Sequence, residues 1–86
     1  EYDPERNAAN LRKHGVAFDD AQMVLFDTQA LVREDIEVEG EQRFVAVGAD
    51  ALGRILTVVY TYREPDIIRL ISARPATKRE RQVYEA

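Results

Sequence analysis

Cysteine and tryptophan are absent from the 86 residues, and histidine occurs once, at position 14. Without cysteine there are no disulfides and no thiolate metal sites. One histidine leaves too few ligands for a histidine-based zinc site, so neither a metal nor any other cofactor is expected. Long apolar runs are also missing. Stretches such as ILTVVY (55–60) are too short to span a bilayer, and the N-terminus lacks a basic-then-apolar leader. The expected setting is the cytoplasm, without membrane attachment.

The chain is long enough for one domain and one modest core, and a hydrophobic share of 45% is ordinary for a globular chain. One domain over residues 1–86 is therefore expected. The net charge of −4 argues mildly against a nucleic-acid binder, but the charge is unevenly distributed. Residues 1–52 carry five bases against twelve acids, whereas residues 53–86 carry seven bases against four acids. The C-terminal third can thus offer a basic surface while the acids gather between Asp19 and Glu41.

Local signals divide the chain into helices at both ends and strands between. In YDPERNAANLRKHG (2–15), Asp3 can cap a helix, Pro4 suits its first position and Gly15 its end. Asn7, Asn10 and His14 then share one stripe. FDDAQMVLFD (18–27) predicts a second short helix, with Asp19 and Gln22 as a capping box and Phe18 and Met23 as a hydrophobic staple. The period then changes to two. Strands are expected over 30–38, 43–49, 54–63 and 67–73, with turns at EGE (39–41), DALG (50–53) and EPD (64–66). The last segment, TKRERQVYEA, predicts a helix opened by the Thr77–Glu80 capping box. The fold class is α+β: an antiparallel meander of about four strands, two N-terminal helices and a C-terminal helix.

Alternation assigns the sheet faces. Leu56, Val58, Ile68 and Leu70 form the more apolar set, expected in the core. Thr57, Thr61, Arg63, Arg69 and Arg43 fall on the other face, a surface suited to phosphate. Arg74 has the opposite parity to Arg69, so it joins that face only if the strand ends or bulges first.

YDPERNAANLRKHGVAFDDA, EQRFVAVG, GRILTVVYTYR and IIRLISARPATKRERQVYE together resemble the BrnT family of bacterial toxins, in the same order and over nearly the whole chain. The pairing of KHGV with ISAR-x-A-x-x-x-E-x-x-x-Y carries most of the specificity. Tyr2 stands where the family more often has tryptophan. Pro75 stands where lysine is frequent, which removes one cation from the basic region. The resemblance implies a RelE-like fold and a ribonuclease that blocks translation and is neutralised by an antitoxin encoded beside it. The implied antitoxin is of the BrnA type, which also binds the operon DNA, so the toxin would meet DNA only indirectly and RNA directly.

A metal-independent ribonuclease needs a base for the ribose 2′-hydroxyl, an acid for the leaving 5′-oxygen, and cations for the extra transition-state charge. Lys13, His14, Arg63, Arg69 and Glu80 are the catalytic candidates, with Arg43, Arg74, Lys78 and Arg81 as RNA-binding candidates. Each has a plainer alternative. Lys13 and His14 also suit a helix C-terminus, Arg74 suits an ion pair with the last helix, and Glu80 suits the capping box. Tyr84 is expected as a core anchor. The rival functions are a non-catalytic partner-binding module and, with less support, a sequence-specific DNA-binding protein, for which no helix carries a clear basic row.

Overall fold

The computed structural model describes residues 1–36, 42–64 and 66–86. Helix α1 (Pro4–His14) is capped by Asp3, whose side chain accepts from the Glu5 amide, and ends at Gly15 with φ 72°. That left-handed conformation lets the Gly15 amide close on the Leu11 carbonyl. Helix α2 (Phe18–Ala21) runs directly into a 3₁₀ turn, Gln22–Phe26.

Here the local expectation fails. The N-cap of α2 is Ala17, without a side-chain cap. The Phe18 amide donates instead to the Asn7 side-chain oxygen, at 2.8 Å, and Asp19 accepts from the Tyr2 hydroxyl. Met23 is exposed while Phe18 is fully buried, so no staple forms. Tertiary partners have taken over the groups that would have built the capping box.

Four strands follow: β1 (Leu31–Ile36), β2 (Gln42–Ala49), β3 (Ile55–Glu64) and β4 (Ile67–Pro75). They pair antiparallel in the order β1-β2-β3-β4, the expected meander. The Asp50–Gly53 turn is held by the Asp50 carboxylate, which accepts from the Leu52 and Arg54 amides, and Gly53 takes φ 80°. The turn expected at 39–41, the end of the 30–38 strand and Pro65 of the 64–66 turn lie outside the described residues. Helix α3 (Lys78–Glu85) opens with the Thr77–Glu80 capping box complete on both sides.

The core lies between one sheet face and the N-terminal helices. Val16, Phe18, Ala21 and Val24 pack on Ala46, Leu56, Val58, Tyr60, Leu70 and Ala73. Ala73 shares the alternation parity of Arg69, yet it is buried in the core. The register shift between Val59 and Tyr60 explains it: Tyr60 faces Leu70 and Val59 faces Ser72. Ile71 is the extra residue, and a bulge of this kind reverses side-chain parity along the strand. The two sheet edges differ. On β4, Glu1 bonds to Ile68 and Leu70, and the Asn10 amide takes both polar groups of Ala73. Among the described residues nothing covers the free edge of β1.

Candidate active site on the outer sheet face

The same bulge brings Arg69 and Arg74 to one face, with Arg69 opposite Thr61 and Arg74 opposite Thr57. Thr57 and Thr61 are buried there rather than open to solvent. Thr61 donates to the Gln42 carbonyl, and Thr57 lies beneath the first turn of α3, where its hydroxyl donates to Glu80 at 2.9 Å.

Glu80 is the hub. Arg74 grips both its oxygens, Nη1 to Oε1 at 2.8 Å and Nη2 to Oε2 at 3.0 Å, and the Thr77 amide adds a further bond at 2.8 Å. The Arg74 guanidinium, followed by the Thr77 amide and Thr57 hydroxyl, holds the Glu80 carboxyl down at about 2. A base of that strength is far from the neutral range where proton transfer is efficient. Glu80 thus fixes the orientation of Arg74, with Oε1 taken by Thr57, Arg74 and the Thr77 amide and Oε2 by Arg74.

His14 approaches the same end of the sheet from the other side of β4. Asn10 is buried against Ala73, and His14 follows it by one helical turn on the same stripe, about 6 Å along the axis. Helix α1 advances in the direction of β4, since Glu1 meets Ile68 and Leu70 while Asn10 meets Ala73. His14, half-buried, therefore lies one turn beyond the Asn10–Ala73 clamp and next to Gly15, whose carbonyl accepts from Arg54 Nη1 at 3.3 Å. Lys13 is exposed beside it.

The other arginines stand apart from this end. Arg69 and Arg74 face residues four positions apart on β3, Thr61 and Thr57, about 13 Å along the strand, and the Arg69 guanidinium pairs with the Glu1 carboxylate at 2.8 Å. Arg63 lies two residues beyond Thr61 and is exposed. Arg43 lies on β2 opposite Asp35 of β1, at the same far end. Lys78 and Arg81 are exposed on α3. The candidates form a cationic track along the outer sheet face and α3 rather than one tight pocket. Arg74 is the one beside α3, and Arg54, outside the candidate set, is the guanidinium that contacts the helix end bearing His14 while it pairs with Asp50.

Sequence reasoning missed two residues. Thr57 supports Glu80 from beneath; its signal was a threonine on the outer face of a strand otherwise rich in valine and isoleucine. Asn10 clamps Val16 and Ala73 through its amide; its signal was a polar residue sharing a stripe with Asn7. Tyr84, expected as a core anchor, instead ties α3 to the 3₁₀ turn by donating to Asp27 at 2.5 Å. Asp27 also accepts from the Gln29 and Ala49 amides, and the Tyr84 hydroxyl leads these bonds in lowering the Asp27 pKa. Among the described residues no cluster of histidine, cysteine, aspartate or glutamate could hold a metal ion, and no helix is long and apolar enough to cross a membrane.

Comparison with known proteins agrees with this architecture. Residues 2–80 match the model of a family described as the ribonuclease toxin, BrnT, of type II toxin–antitoxin systems. The crystal structure of the Brucella abortus ribonuclease toxin BrnT superposes with a TM-score of 0.68 at 24% identity, covering 90% of this chain and 94% of that one. No curated protein matches the chain.

Proposed function

This chain belongs to the BrnT family of type II toxin–antitoxin ribonuclease toxins, and from that premise we propose that it is a metal-independent endoribonuclease that cuts RNA through the ribose 2′-hydroxyl and so inhibits translation. The observation that carries the reading is the fixed guanidinium of Arg74, locked by Glu80 at the end of β4, the strand to which Asn10 anchors the helix that ends in Lys13 and His14.

As the 2′-hydroxyl gives its proton to solvent water, its oxygen attacks the adjacent phosphorus, forming one P–O bond and breaking the bond to the 5′-oxygen. This leaves a 2′,3′-cyclic phosphate and a 5′-hydroxyl. Arg74 meets the charge that builds on the non-bridging oxygens, and its pre-set orientation avoids reorganisation during the reaction. Histidine exchanges protons in the neutral range, so His14 is the group that protonates the leaving 5′-oxygen, with Lys13 adding positive charge. Glu80 acts as a positioning residue for Arg74. Arg63, Arg69, Arg43, Lys78 and Arg81 hold flanking phosphates along the track. Guanidinium and ammonium groups thus do the charge stabilisation that a metal would otherwise supply. The protein antitoxin that pairs with such a toxin is here of the BrnA type, and operon DNA is met only through it; the toxin works in the cytoplasm.

Incubation of the purified protein with a generic RNA in EDTA tests this reading. Cleavage with cyclic-phosphate ends is expected, and His14→Ala and Arg74→Ala should abolish it while remaining folded. A folded wild-type protein that neither cuts RNA nor slows growth on expression would instead be a non-catalytic partner-binding module.

A further inference from the structure

We infer that the free edge of β1, with the groove between it and α3, is the seat of the antitoxin, which docks an extended segment of alternating apolar and acidic residues. The inference deepens the toxin reading above and rests on it for the identity of the partner.

The two edges of the sheet are treated differently. The β4 edge is covered by Glu1 and Asn10. On β1, residues Leu31 to Asp35 are all exposed, and Leu31 and Val32 are 42% and 56% exposed. An uncovered apolar edge is a pairing template that proteins normally blunt with lysine, proline or a covering element. Next to it a cavity of about 310 Å³ opens between the strand and the last helix. Leu31, Val45 and Val47 line it from the sheet and Val83 from α3, with Val83 itself 57% exposed. An added strand would hydrogen-bond to β1 and direct every second side chain toward this groove.

Charge decides the partner's chemistry. Arg33 and Arg79 line the groove, and neither forms an ion pair among the described residues. Glu80, the acid beside them, is already engaged by Arg74, Thr57 and Thr77. The groove lining therefore presents unbalanced positive charge around an apolar floor, with Glu34 and Asp35 further along the strand, so acidic side chains flanking apolar ones fit at the Arg33–Arg79 end. Because α3 forms one wall and also carries Glu80, Lys78 and Arg81, a segment seated there would cover the end of the cationic track and exclude RNA.

The test uses the full chain and the product of the neighbouring antitoxin gene, purified separately, with affinity measured by calorimetry. Val32→Lys and Val83→Lys should each weaken antitoxin binding about 30-fold or more and leave RNA cleavage by the free toxin unchanged. Phe26→Lys, at a still more exposed apolar residue on the other face, should bind as wild type. In the wild-type complex the amides of residues 31–36 should gain protection from hydrogen exchange, a readout independent of any variant's folding. Wild-type affinity in both groove variants, or loss only in Phe26→Lys, overturns the inference. So does a toxin that dimerises through β1 and becomes monomeric in Val32→Lys with antitoxin binding intact, or an RNA that loses affinity in both groove variants while the antitoxin does not. A toxin that binds its antitoxin at this edge but never cuts RNA would leave the docking inference standing and remove only the catalytic reading.

Discussion

Arg74 and Glu80 face each other across the junction of β4 and α3 as a two-point pair, 2.8 and 3.0 Å between their paired nitrogens and oxygens. The pair joins the last strand to the last helix and sets the direction of a guanidinium on the outer sheet face. Its stability and its catalytic consequence can be separated by experiment.

Glu80→Gln keeps a capping-box side chain but removes the charge. The Glu80 carboxyl titrates at about 2 in the fold against an ordinary 4.5, so its folded pKa is depressed. The stabilisation is fully present above about pH 4.5 and is lost as pH falls through about 2. Urea unfolding at pH 7 should show Glu80→Gln less stable by about 1–2 kcal/mol, and the gap should shrink steadily below pH 4. A gap that is constant with pH would show that the charge contributes nothing.

The two arginines of the outer face should fail differently. Arg74→Lys loses the two-point geometry and should lower kcat about 100-fold or more, comparable to loss of a positioned charge-stabilising donor. Arg69→Ala, which releases a pair with Glu1 about 13 Å away along the strand, should raise KM and flatten its salt dependence with kcat nearly unchanged. Steady-state cleavage at several salt concentrations distinguishes the two. His14→Ala should lower kcat about 10²–10⁴-fold and flatten the pH–rate profile near neutrality.

Asn10→Ala should be among the most destabilising helix substitutions. It strips partners from the buried Ala73 amide and carbonyl and from the Val16 carbonyl, at a cost of about 2–4 kcal/mol. In a domain of this size that lowers Tm by roughly 4–8 °C per kcal/mol, which a thermal melt resolves.

Gly48→Ala tests packing rather than polarity. A Cβ at this position would stand 3.0 Å from an Asp27 carboxylate oxygen, 3.1 Å from the Ala30 Cβ and 3.2 Å from a Val24 methyl. Two of these belong to backbone-anchored atoms or a short, hydrogen-bonded side chain that cannot swing aside. Overpacking of this kind costs about 1–3 kcal/mol, measurable as a lower denaturation midpoint with an unchanged slope.

Features governed by a few consecutive residues were legible in the chain. The Asp3 cap, the Gly15 stop and the Thr77–Glu80 box each act within four or five residues, so composition and spacing are enough to place them. The same holds for the period-two pattern of β3, whose Leu56, Val58 and Tyr60 are buried as their alternation requires. The sequence thus determined where both capped helices begin, that four antiparallel strands lie between them, and which family the chain resembles. Tertiary structure alone decided the rest. Whether Arg74 joins Arg69 depended on a bulge at Ile71, which strand parity cannot reveal because the extra residue is accommodated by pairing with β3. Whether Asp19 caps α2 depended on Tyr2, and which groups the Glu80 carboxylate binds beyond its capping box depended on Arg74 and Thr57. A polar side chain takes the best partner within reach, and for these residues that partner is brought near only when the sheet and helices pack.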